Sequence, residues 1–133
     1  MSKLIIPDEM LRVIHDQAEE EYPDECCGMV IGNRDDPASV TRVRRCRNVQ
    51  DEYHEKDPER YPRKSKTAYL IDPMELLKID RELRAKNEAI RVIYHSHIDV
   101  AAYFSEEDVR RALMFGEPIY PEADYLVLSV MET

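Results

Sequence analysis

Residues 89–97 read Ala-Ile-Arg-Val-Ile-Tyr-His-Ser-His, and the rest of the chain is best read outward from this stretch. Ile90 to Tyr94 has the length and composition of a buried strand. It runs straight into His95-Ser96-His97, two of the chain's four histidines. Side chains on a strand repeat every two residues, so both imidazoles project from one face, about 6–7 Å apart along the backbone. On the N-terminal side, Ala68 to Ile71 predicts a short strand. Asp72-Pro73 then opens a helix carried by Leu76, Leu77, Asp80, Leu83 and Arg84. On the C-terminal side, Ser105 to Met114 predicts a serine-capped helix, and Asp124 to Val130 a final strand.

Nearer the N-terminus, Leu4 to Ile6 predicts a short strand. Pro7 is expected at the first helical position, with Asp8 and Glu9 at the positive end of the helix dipole. Met10, Leu11, Ile14 and Ala18 form the helix's apolar stripe. Cys26 to Gly32 reads as a buried strand closed by glycine, and Val40 to Cys46 as a strand with one wet face. Residues 48–66 are charged, contain proline and follow neither period, so a mobile loop or flap is expected there. The order β-α-β-β-β-α-β-α-β, with no internal repeats, predicts a mixed α/β protein.

The chain has 133 residues, one domain's worth, with 43% hydrophobic and 35% charged residues, as in an ordinary globular protein. Its net charge of −9 opposes binding to phosphate backbones and anionic membrane surfaces. No run approaches the ~20 apolar residues of a membrane helix. The apolar N-terminal stretch is too short for a secretory signal and breaks at Pro7. Cys26, Cys27 and Cys46 are odd in number and two are adjacent, which fits a disulfide framework poorly; a reducing cytoplasm is the expected compartment. Cys26 and Cys27 read as small buried residues. Arg42, Arg44, Arg45 and Arg47 form a local basic patch, read as a solvated strand face open to an acidic partner.

The chemistry starts from the two histidines. Imidazole suits zinc, although a bare His-x-His also fits two polar residues at an exposed strand end. Seven residues later comes Ser105-Glu106-Glu107-Asp108, the pattern of a helix capping box. A carboxylate in that first helical turn, packed beside the strand end, would complete a His-His-Asp set. Three protein ligands with an open position characterise catalytic zinc. Of the 28 acids, Glu25 is best placed as general base, at the edge of the strand Cys26 to Gly32; a plain surface acid is the competing reading. The chain lacks His-Glu-x-x-His, Cys-x-x-Cys and the His-x-Glu with Pro-Cys-x-x-Cys of deaminases. Its glycines, Gly28, Gly32 and Gly116, are too scattered for a phosphate loop.

Glu25-Cys-Cys-Gly, followed far downstream by His95-Ser-His97, seven residues, Ser105, two residues and Asp108, resembles the JAMM motif of MPN-domain metallopeptidases. That family includes deubiquitinating enzymes and small bacterial relatives. The resemblance implies a single domain over 1–133, with a curved mixed β-sheet flanked by helices in the MPN/cytidine-deaminase-like manner. It implies that His95, His97 and Asp108 bind zinc, that Glu25 is the general base and that Ser105 steadies the oxyanion. The implied substrate is the amide after the C-terminal Gly-Gly tail of a ubiquitin-like or sulfur-carrier protein, with residues 48–66 as one wall of its groove. A homodimer is compatible with the resemblance.

Two positions depart from the family pattern. Ile98 stands where proline is usual, which is expected to alter the loop 98–104 without touching a ligand. The family's further strand and helix after Thr133 are expected to be absent. Two other functions compete: a metal-free MPN-type scaffold, which has no reason to keep all five residues, and a zinc peptidase for small peptides or amide metabolites.

Overall fold

The computed structural model describes residues 4–100, 102, 105, 106, 108, 113, 114, 117, 118, 120 and 123–131. Helix α1 (Asp8–Glu21) leads into strands β1 (Cys27–Asn33) and β2 (Arg42–Cys46). Helices α2 (Gln50–Lys56) and α3 (Pro73–Lys86) follow, then β3 (Glu88–Ile98), β4 (Leu113–Met114), β5 (Glu117–Pro118) and β6 (Asp124–Val130). Four strands form one sheet in the order β2-β1-β3-β6. β1 is antiparallel to β2 and β3, whereas β6 runs parallel to β3, so the sheet is mixed.

Alternation of side chains across β1 and β3 divides the core. Cys27, Met29, Ile31 and Ile93 cluster with Ile79 and Leu83 of α3. Cys26, Val30, Val92 and Tyr94 cluster with Ile14 and Ala18 of α1. A central strand covered on both faces has no wet side, which explains its nearly unbroken apolar run. Arg91 interrupts that run and is nonetheless buried, its Nη2 donating to the carbonyls of Asn33 (2.5 Å), the last residue of β1, and Asp36 (3.0 Å) just beyond it. Gly28 pairs with Tyr94 across β1 and β3. The Tyr94 ring lies over it, so any Cβ at Gly28 would overlap that ring. The Tyr94 hydroxyl donates to buried Gln17 of α1, whose Nε2 donates to the Cys27 carbonyl at 2.9 Å.

Several sequence expectations need correction. Leu4 to Ile6 form no strand; Leu4 and Ile6 pack against the α1 side of the core without a ladder. Pro7 precedes α1 rather than opening it, its carbonyl accepting from Met10 and Leu11. Ala68 to Ile71 contribute only a single bridge between Ile71 and Asn48. Residues 48–66 are not structureless: they contain α2, and buried Gln50 donates to the carbonyl of Arg63 at 2.9 Å. In α3 the cap-then-proline start is present, but the buried face is Ile79 and Leu83 while Leu77 is 53% exposed. Ile98 lies in the strand, paired with Val130, and not in the following loop.

The helix expected over 105–114 falls largely outside the described residues. Glu106 and Asp108 are helical, and Leu113–Met114 pair with Glu117–Pro118 as strand. The basic patch on β2 is internally neutralised. Arg42 pairs with Glu88, Arg44 with Glu75 and Glu82, Arg45 with Glu20, and Arg47 with Glu52. All three cysteines are buried and free. Among the described residues, no helix is long and apolar enough to cross a membrane.

Candidate metal centre

The end of β3 is braced on both sides, by β1 and by β6, where His95 pairs with Val127 and His97 with Ser129. Both imidazoles are buried, on the face opposite Ser96. Ser96 serves the segment leading into β1: its Oγ accepts from the Cys26 N–H at 2.8 Å, and its own N–H donates to the Cys26 carbonyl. These two bonds fix Glu25, one residue earlier, beside the histidines. The Tyr69 ring stacks on His95, with centroids 4.5 Å apart and planes within 21°.

Asp108 approaches from the far side. The amide N–H of Ser105 donates to Asp108 Oδ2 at 2.9 Å, and the Asp108 N–H donates to Ser105 Oγ at 3.1 Å. This is a reciprocal capping arrangement. The same Oδ2 lies 3.1 Å from Nε2 of both His95 and His97, and the two Nε2 atoms are 3.2 Å apart. Cap and site roles therefore meet in one oxygen. Burial works to raise the Asp108 carboxyl, but the bond to His95, the charge of His95 and the two contacts with Ser105 hold it well below the usual carboxylate range.

The triangle has the dimensions of a ligand face. Zinc bonds of about 2.0–2.2 Å to nitrogen and oxygen place tetrahedral ligands roughly 3.3–3.5 Å apart. The observed edges of 3.1–3.2 Å fall within a few tenths of that. Two imidazoles and a carboxylate are also the donor types that zinc takes. His95, His97 and Asp108 therefore fit a zinc ion.

Glu25 is 3% exposed, and its Oε1 has no hydrogen-bond partner among the described residues. Ligand atoms of Glu25, His95 and His97 lie within 4.8 Å of one another, so the Glu25 carboxylate stands beside the two imidazoles. Burial first, and the charge of Asp108 second, push the Glu25 carboxyl up to about 8, with Arg63 opposing them. Its backbone is held at both ends, the N–H donating to the Ser65 carbonyl at 2.8 Å and the carbonyl accepting from Asn48 Nδ2 at 2.9 Å. Glu25, His97 and Ser105 open into a cleft of about 160 Å³ that Arg63, Lys66 and Val100 also line. All five residues singled out from the sequence are thus brought together.

Sequence reasoning missed Tyr69, Asn48, Ser65, Arg63 and Lys66. Their placement comes from the fold of residues 48–69, for which no motif exists; only Ser96, between the histidines, was adjacent to a readable signal.

Comparison with known proteins agrees with this architecture. Residues 7–129 match the family model described as prokaryotic homologs of the JAB domain. Proteins named CysO-cysteine peptidase, from Mycobacterium tuberculosis and Mycobacterium bovis, are 30% identical over 129 residues, covering 97% of this chain and 75% of theirs. The solution structure of protein DSY2949 from Desulfitobacterium hafniense superposes with a TM-score of 0.65. At 24% identity, over 92% of this chain and 71% of that one, it shows a shared fold. With its family model spanning nearly its whole length, this chain belongs to the prokaryotic JAB-domain family.

Proposed function

We propose that the chain, as a single JAB-type domain over 1–133, is a zinc-dependent peptidase. It hydrolyses the amide after the C-terminal Gly-Gly tail of a ubiquitin-like or sulfur-carrier protein. The observation that carries the reading is the 3.1–3.2 Å triangle of His95, His97 and Asp108, with a buried Glu25 oxygen beside it that has no hydrogen-bond partner among the described residues. The similarity to proteins named CysO-cysteine peptidase supports the peptidase class.

His95, His97 and Asp108 would hold the ion. Zinc, when bound, supplies Lewis acidity that activates water and polarises a carbonyl. Glu25 takes the proton from the attacking water and returns it to the leaving amine. A carboxyl raised by burial suits that two-way traffic near neutral pH. Ser105 Oγ accepts from the Asp108 N–H, which leaves its own proton to donate to the developing oxyanion. Its half-buried position on the cleft suits that role. Residues 48–66 supply one wall of the groove, a role supported by Arg63 and Lys66 lining the cleft.

The test measures zinc content and cleavage together. Wild-type protein should carry about one zinc per chain and release the Gly-Gly product. His97→Ala should lose both, and Glu25→Gln should keep zinc but not turn over. Zinc-loaded wild-type protein that cleaves no Gly-Gly conjugate would remove the substrate assignment. Failure to bind zinc at all would leave a scaffold.

A further inference from the structure

Most cations on this acidic chain that lie near the sheet are answered by its own carboxylates: Arg42, Arg44, Arg45 and Arg47 each pair with a glutamate. Arg63 and Lys66 are different. Both line the cleft shared by Glu25, His97 and Ser105, and neither forms an ion pair with any described carboxylate. Among the described residues the Arg63 guanidinium bonds only to a neutral group, its Nη1 donating to the Thr67 carbonyl at 3.2 Å. Their placement is built. Ser65 between them is 3% exposed, its carbonyl bound to the Glu25 N–H and its N–H bound to Asp51 Oδ1 at 2.7 Å. The backbone contact that fixes Glu25 therefore also sets the two cations at the cleft.

A neutral glycyl amide offers such cations only carbonyl oxygens and no charge. An anion next to the scissile bond supplies one. The α-carboxylate of a released amino acid lies two bonds from the amide nitrogen, whereas a lysine side chain in an isopeptide brings no charge near its own. Guanidinium and ammonium groups recognise carboxylates through charge-assisted hydrogen bonds.

We infer that Arg63 and Lys66 determine specificity by binding a free α-carboxylate on the leaving group, so that the site releases a single C-terminal amino acid in preference to opening a protein isopeptide bond. The inference rests on the peptidase reading above and deepens it.

Two decapeptides ending in Gly-Gly-Ala, one with a free C-terminus and one amidated, separate the possibilities. Their affinities for full-length, zinc-supplied Glu25→Gln protein report binding without turnover, and kcat/KM with the unsubstituted chain reports catalysis. The free acid should bind at least tenfold tighter and be cleaved at least tenfold more efficiently, chiefly through KM. In the Arg63→Gln/Lys66→Gln protein the preference should collapse towards one. In Arg63→Glu/Lys66→Glu it should invert, an outcome that misfolding does not produce. Equal affinity for the two peptides, no affinity for either, or an equal loss for both in the glutamine variant would overturn the inference. So would full recovery of affinity by an amidated peptide with glutamate in place of the final alanine. A persisting affinity difference without cleavage would support the carboxylate site while removing the peptidase reading.

Discussion

Replacing Asn48 by aspartate preserves the side chain's shape and inverts half of its hydrogen bonding. Nδ2 donates to the carbonyls of Glu25 (2.9 Å) and Ala68 (3.1 Å), and Oδ1 accepts from the N–H groups of Gln50 (3.0 Å) and Leu70 (3.1 Å). Three of these bonds join distant segments; the one to Gln50 is local. At about 0.5–1.5 kcal/mol net per bond, Asn48→Ala should cost about 2–3 kcal/mol after allowing for partial exposure. For a chain of this size that lowers Tm by roughly 6–15 °C. Asn48→Asp loses the same two donations and sets a carboxylate oxygen against two carbonyls, so it should be at least as destabilising as alanine. Urea unfolding, with the slope m checked for constancy, measures both. An aspartate variant as stable as the parent would refute the reasoning, because the contact to Glu25 would then contribute nothing. The same variants should slow peptide cleavage more than they weaken zinc binding, since Glu25 loses its anchor while the ligand triangle does not.

Ser105→Ala removes one half of the capping pair and should cost about 1 kcal/mol. It should leave zinc stoichiometry intact while lowering kcat about 10²–10³-fold, as for a lost oxyanion donor; unchanged kcat would reassign Ser105 to capping alone. The backbone N–H and hydroxyl of Ser65 hold the Asp51 carboxyl below its usual value. Its contribution is therefore complete above the unfolded pKa of about 3.9 and lost as pH falls towards the lower folded value. Asp51→Asn should flatten that acid limb in stability measured between pH 5 and 2. Gly28→Ala should destabilise by about 1–3 kcal/mol by overpacking against Tyr94. A Tyr94→Leu change in the same chain should recover part of the loss, and strictly additive effects would show that the ring is not the obstacle.

The site was legible because its chemistry is scarce. Histidine occurs four times, and two of them two residues apart at the end of an apolar strand leave few alternatives. The strands that carry it were legible for a related reason: β1 and β3 are covered on both faces and read as apolar runs. Residues 48–66 hid their order because it depends on side chains bonding to distant backbone, as Gln50 does to Arg63 and Asp51 to Ser65, and such bonds leave no period. The arginines of β2 misled in the same way. Their partners Glu20, Glu75, Glu82 and Glu88 lie far away in sequence, so the patch looked free when it is matched. Leu4 and Ile6 show that apolar residues can supply burial without specifying a ladder, while Ile5 between them is 74% exposed.

β3 stands between a strand 60-odd residues earlier and one that follows it, and this has a kinetic consequence. A residue pairing as distant as Cys27 with His95, and then His95 with Val127, must close before the strand end is braced from both sides. Long-range closures of this kind are slow compared with helix formation. The ligand triangle is therefore expected to mature late, after α1 and α3 have formed and β6 has docked. During refolding, zinc capture should lag behind the recovery of helical circular dichroism, and capture that precedes it would mean the metal itself nucleates the strand end.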